Sequence, residues 1–356
     1  MTETVNKKTG KRSTILAKMH FAPQARNEES KGEYGKGRFT MFRELYKKQR
    51  ERLMTGGLMT ILFALPLIAI VMFVSYIGVE NFSNTLNGVS NPPSFLSDFG
   101  FGLSKGSGVV SGRVDMLTGY RVMSLAIAVA LPILGIGLSG MFYICHKVAW
   151  RESFITKKDS YGNDIPRTFK EYFIGIKRFW GQFLLTFFAL GIIFAGVFNL
   201  ILNFVQDTYT RSVGFFSVLQ LIVAIVIGLA TLLTTANLVP FLVSYDIPYI
   251  KKVQNAVILG LALPVPTIFM TILVAGPLAL MAIGGTWALI VLLILIVFGF
   301  THYCFGFTLY ADYHSEKIIT PVYEANLAPK FTEKPKKKPV PMVKQQYQRP
   351  HYTKKK

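Results

Sequence analysis

The sequence predicts an all-α membrane protein, a polytopic bundle of six transmembrane helices with both termini cytoplasmic. Three features carry that expectation. The chain of 356 residues is 51% hydrophobic and only 16% charged, with a positive mean hydropathy of +0.40. Its charges are one-sided, 39 Lys+Arg against 19 Asp+Glu, for a formal charge of +20. Those charges are also absent from long stretches. This composition excludes an intrinsically disordered chain, which lacks apolar surface to bury. Two cysteines exclude a disulfide-stapled secreted domain.

Charge-free runs locate the spans. No Asp, Glu, Lys or Arg occurs in 53–79, 122–146, 179–206, 212–245 or 253–311. A transmembrane helix needs about 20 apolar residues. The first four runs therefore hold one helix each. The last holds two, broken at Gly284-Gly285. The expected spans are 57–79, 122–146, 182–206, 216–243, 258–282 and 287–310, within a transmembrane domain covering 53–315. The first 50 residues lack an apolar signal region, so the first helix is expected to remain as an anchor. Nineteen basic residues flank one set of membrane ends and four the other, which places both termini inside by the positive-inside rule.

The basic N-terminal tail, 1–52, closes on a segment where Phe39, Phe42, Leu45 and Tyr46 recur at helical spacing among Arg43, Lys47 and Lys48. It reads either as an interfacial amphipathic helix or as a solvated helix extension. An outer loop, 80–121, holds seven glycines and three charges of each sign. Its length marks it as functional or disordered. The basic C-terminal tail, 316–356, is proline-spaced and reads as disordered. Attraction to an anionic cytoplasmic leaflet explains its charge best. Solvation alone is the next reading. Specific nucleic-acid binding ranks last, because no folded platform presents Tyr347 and Tyr352.

Two inner loops share a tripeptide. Asp164-Ile165-Pro166 precedes Phe169, Tyr172, Phe173, Ile176 and Trp180, an apolar stripe at helical spacing. Asp246-Ile247-Pro248 precedes Ile250, Val253 and Val257, with Lys251 and Lys252 opposite. Asp164 and Asp246 are read as N-caps, each starting an interfacial helix that turns into a span. The repetition admits a duplicated hairpin, as in many transporters, or convergence on a good helix start.

The segments Asp164 to Leu185 (DIPRTFKEYFIGIKRFWGQFLL) and Val239 to Pro264 (VPFLVSYDIPYIKKVQNAVILGLALP) resemble parts of the YesL family of bacterial membrane proteins. Phe241, Tyr245, Asp246, Lys252, Asn255 and Ala256 carry the later likeness, and the resemblance as a whole covers roughly 122–315. The resemblance implies a compact six-helix bundle in a Gram-positive-type plasma membrane. The family has no established activity, and its usual association is with carbohydrate uptake systems. The long tails and the outer loop depart from the family pattern.

No Gly-rich phosphate loop, His-Glu-x-x-His or Gly-x-Ser-x-Gly is present, and five histidines stand without ligand spacing. The expectation is therefore a non-enzyme, with no catalytic residue, cofactor or metal. Ionisable groups inside spans are costly and often functional. His302, Asn237 and Tyr143 fall at similar depth, as a candidate cytoplasmic-side cavity. The competing reading is plain interhelical hydrogen bonding. Cys145 and Cys304 are read as small packing residues. Small residues Ser124, Ala128, Gly135 and Ser139 mark a close-packing stripe, facing either a bundle neighbour or a second subunit. The leading functional expectation is a transport-associated or regulatory membrane component, partnered with another membrane protein such as a transporter. The alternative is an autonomous small-solute transporter built from the two hairpins.

Overall fold

The computed structural model describes residues 38–86, 109–158, 164–210, 212–245, 247–279, 293–294 and 298–314. The helices are α1 (Arg38–Lys48), α2 (Arg50–Leu86), α3 (Val109–Ala149), α4 (Thr168–Tyr209), α5 (Phe215–Ser244), α6 (Tyr249–Ala262), α7 (Pro264–Ala279) and α8 (Phe300–His314). Between α3 and α4 lies a small antiparallel ribbon, β1 (Thr156–Lys158) and β2 (Asp164–Pro166), pairing Thr156 with Pro166. Apart from this ribbon, the described chain is helical.

Four helices are long and apolar enough to cross a membrane, over Arg50–Ile70, Gly119–Ala149, Thr168–Thr208 and Phe215–Ser244. The chain is a multi-pass, membrane-embedded helical protein. Large apolar side chains stand on its outer faces, among them Leu62, Val129, Ile222 and Leu261. A surface of this kind is stable against hydrocarbon and costly against water. Four of the six expected spans thus appear as unbroken helices. The fifth does not. Residues 258–282 were expected as one span, but α6 and α7 meet at a bend of 98°. The cause is local. Leu263 precedes Pro264, whose ring disfavours the helical conformation of the residue before it, and its backbone leaves the helical region (φ −128°, ψ 54°). Ala-Leu-Pro occurs three times, yet Pro66 and Pro132 sit inside continuous helices. Only the third copy is followed at once by another proline, Pro266. Of the sixth span, α8 and residues 293–294 and 298–299 are described. Gly284-Gly285, residues 1–37 and the tail 316–356 lie outside the described residues. The expected loop 80–121 is shorter than its charges suggest, because α2 runs to Leu86 and α3 starts at Val109.

α3 and α4 form the most extensive pair in the bundle. The small-residue stripe faces this neighbour. A Cβ on Gly191 would meet the Ala128 carbonyl oxygen at 2.5 Å, and one on Gly135 would meet the Phe187 ring at 2.8 Å. Ser124 and Ser139 are buried in the same seam, and Asn199 Nδ2 donates to Ser124 Oγ at 3.2 Å. α2 joins from the other side, where Tyr172 of α4 pairs with Thr60 Oγ1 (3.2 Å) and donates to the Gly137 carbonyl (2.8 Å). α8 packs against α2, α3, α5 and α7. α1 folds against the bundle, burying Met41 and Leu45 and stacking Phe42 over Phe305, while Arg43, Lys47 and Lys48 stay exposed. Burial raises the Tyr46 phenol above its usual range, with Arg50 pulling the other way.

Two amphipathic expectations are corrected. The segment after Asp164 does not lie apart from its span, because α4 runs unbroken for 42 residues. Its inward face is Thr168, Glu171, Tyr172, Gly175 and Phe179, while Phe169, Phe173 and Trp180 point outward. In α6 the apolar stripe does face outward, with Ile250 70% exposed, but Lys252, expected opposite it, turns inward at 2%. In α4 and α6 large apolar side chains thus stand outside while Glu171 and Lys252 turn in.

Candidate functional site

A cluster of buried polar groups converges at one end of the bundle, where α3 stops. Arg151 there has a left-handed backbone (φ 53°). Glu152 N donates to the Lys147 carbonyl (2.9 Å) and Arg151 N to the Val148 carbonyl (3.3 Å), which is a Schellman stop. His146 and Lys147 occupy the last turn, where cations complement the helix dipole. The reversal brings 152–155 back beneath α4.

Lys147 Nζ donates to Glu171 Oε1 (2.9 Å) and to the Ser153 carbonyl (3.1 Å). The same carboxylate oxygen accepts the Ile155 amide at 2.8 Å. Both side chains are buried, at 10% and 1% exposure, so the pair is shielded from water and screened little by salt. Glu171 Oε2 is buried and has no hydrogen-bond partner among the described residues. The ammonium also sits 5.4 Å from the rings of Tyr143 and Phe154, and Arg52 covers Phe154 at 4.5 Å. Beside this pair, His146 packs at a tilt against Trp150 (4.4 Å) and lies 3.6 Å from Glu152 and 3.3 Å from Ser244 Oγ. Trp150 Nε1 donates to Asp312 Oδ1 at 2.9 Å, which ties the end of α3 to α8.

A second joint links α4, α5 and α6. Lys252 Nζ donates to Gln182 Oε1 (2.9 Å) and to the Leu242 carbonyl (2.8 Å), with Tyr249 and Thr186 hydroxyls 3.0 Å apart beside it. The family-like residues Phe241, Tyr245, Lys252 and Asn255 are all buried here, and Phe241 packs edge-on to Tyr245 at 5.1 Å. They hold helices together.

The two expected caps fare differently. Asp164 stands in β2, three residues before Arg167, which is the N-cap position of α4 and makes no side-chain cap bond. The chain turns there because Arg167 N pairs with the Ile155 carbonyl (2.7 Å), extending the ribbon. Asp246 lies outside the described residues. The N-cap position of α6 is Pro248, again without a side-chain cap bond.

Tyr143, Asn237 and His302 do not line one cavity. Tyr143 packs on Phe179 (6.0 Å) and against Gly175. Asn237 is fully buried, donating to the Leu233 carbonyl (2.9 Å), and its Oδ1 has no partner among the described residues. His302 faces Phe42 (5.6 Å) and lines a 260 Å³ cavity beneath α1 with Met270 and Tyr310. A larger cavity of 500 Å³ lies between α3, α4, α5 and α8. It is apolar, bounded by such residues as Leu138, Phe187, Val239 and Phe307, with Thr231, Thr235, Thr271 and Tyr303 as its hydroxyl-bearing members. Depth along a helix was readable from the sequence, but rotation about its axis was not. That rotation separates the three residues.

The sequence reading missed Lys147, Glu171, His146, Trp150 and Asp312. His146, Lys147, Trp150 and Asp312 lie at or just beyond the ends of charge-free runs, and Glu171 lies in the charged segment before the run that starts at Phe179. Neither position carries a periodicity that marks it as buried. Cys145 and Cys304 are buried and free. Among the described residues, no group of three or more His, Cys, Asp or Glu is placed to hold a metal ion. No known protein family, curated protein or solved structure matches the chain.

Proposed function

We propose that this chain is a six-span component of a plasma membrane, with both termini cytoplasmic, that associates with or regulates a transporter rather than carrying a solute itself. The observation that carries the reading is the 500 Å³ cavity. Among the described residues no charged one lines it, and its described wall is almost wholly apolar. A sugar or ion crossing there would lose its hydration without replacement hydrogen bonds, at several kcal/mol per polar group. At the Lys147 end, buried polar side chains bind helices to one another. The basic surplus at that same end supports a cytoplasmic assignment.

The YesL-like segments make a carbohydrate uptake system the first partner to seek, and the anionic inner leaflet the surface for the basic tails. The hairpins that would build an autonomous carrier differ in construction. One runs into the unbroken α4 and the other into the bent α6–α7 pair. Gentle-detergent purification of the full chain from native membranes, with co-purifying proteins identified by mass spectrometry, tests the proposal. The expected result is a stoichiometric membrane partner and no solute flux into liposomes holding this chain alone. Flux from the chain alone would overturn it.

A further inference from the structure

The 500 Å³ cavity falls within the size range of ligand sites, about 300–1,000 Å³. Three observations constrain what occupies it. Ile193, Phe194 and Leu232 line the cavity and are also exposed on the outer surface, so its mouth opens sideways where hydrocarbon would lie. Among the described residues no charged one lines it, so a charged head group would enter without compensation from them. Its hydroxyls are not equivalent. Thr235 donates to the Thr231 carbonyl (2.7 Å) and Thr271 to the Thr267 carbonyl (2.8 Å), each within its own helix. The Tyr303 hydroxyl is buried and has no hydrogen-bond partner among the described residues. A buried donor left unpaired is costly, and dry apolar cavities accept apolar guests in preference to water.

We propose that this cavity holds one single-chain, uncharged lipophile drawn from the bilayer, whose acceptor oxygen pairs with the Tyr303 hydroxyl. The chain lies along the wall of α4 and α5, and the oxygen lies against α8. Gly228 leaves room in that wall. A Cβ there would meet only Val197 Cγ1, at 3.7 Å.

The test uses the full chain in phosphatidylcholine vesicles with a diazirine-bearing long-chain alcohol as the probe. The expected result is saturable photolabelling mapped by mass spectrometry to cavity-lining positions of α4, α5 and α8. Unlabelled long-chain alcohol and its uncharged ester should displace the probe, and the corresponding carboxylate at neutral pH should not. Tyr303→Phe should weaken binding roughly three- to tenfold, the worth of one hydrogen bond. Gly228→Leu should abolish saturable labelling. Labelling that never saturates, that maps only to the outer faces, or that persists at equal affinity in Tyr303→Phe would overturn the proposal. Equal displacement by the carboxylate would overturn it too.

Discussion

At one end of the α3–α4 pair, Lys147 of α3 meets Glu171 of α4 as a buried charge pair. At the other end, Arg121 of α3 donates to Asn203 Oδ1 (2.8 Å) and Gln206 Oε1 (2.6 Å) of α4, both neutral amides. The same two helices are therefore fastened twice, by opposite chemistry. Arg121 is half-buried, so its head keeps partial exposure, although its Nε is buried without a hydrogen-bond partner among the described residues. Lys147 and Glu171 are buried more deeply, and each depends on the other. The comparison teaches that a buried pair and a boundary clasp fail in different ways when cut.

Cutting the first should have the largest effect. Glu171→Leu strands a buried ammonium, and breaking such a pair costs about 3–5 kcal/mol. Thermal unfolding of the purified chain in detergent should show a large drop in the midpoint. The double variant Lys147→Met with Glu171→Leu should recover most of that loss, because neither charge then remains to be desolvated. If the double variant is as unstable as the single one, the pair is not the cause.

A smaller effect is expected at the other clasp. Arg121→Met removes two hydrogen bonds but leaves its amide acceptors near water, so the loss should be about 1–2 kcal/mol. A drop matching that of Glu171→Leu in the same unfolding assay would erase the distinction between the ends. The smallest effect concerns how α3 stops before its charged end. Arg151 holds a left-handed conformation that suits glycine. Arg151→Gly should raise stability by about 1 kcal/mol. A loss would show that the guanidinium makes contacts worth more than the backbone strain.

Much of the helical order was legible in the chain, because hydrocarbon excludes charge and leaves long gaps in the charge pattern. Four spans follow from those gaps alone. The bend at Leu263 was harder to read, since prolines at 66, 132 and 240 sit inside intact helices. What distinguishes Pro264 is the Pro266 behind it. The outward stripe of Ile250 and Val257 was legible, because an interfacial helix lays its apolar face toward the bilayer. The inward turn of Lys252 was not, since a lysine of such a helix is expected on the wet face, yet Lys252 and Asn255 take the interior. The joint at Lys252 was reached through the family-like residues, without its geometry. The pair at Lys147 was missed because it joins the end of one charge-free run to a carboxylate in the charged segment that follows, and no periodicity links the two.

The Trp150–Asp312 hydrogen bond separates partners 162 residues apart, whereas Lys147 and Glu171 are 24 apart. A chain leaving the ribosome presents these contacts at very different times. The charge pair closes once the α3–α4 hairpin is made. Trp150 must wait for nearly the whole remaining chain to be synthesised. The bond from Thr301 to the Leu53 carbonyl, across 248 residues, waits almost as long. The final helix therefore acts as a latch on a partly assembled bundle. A chain truncated before residue 300 would keep its hairpin but leave the beginning and the middle of the bundle unfastened.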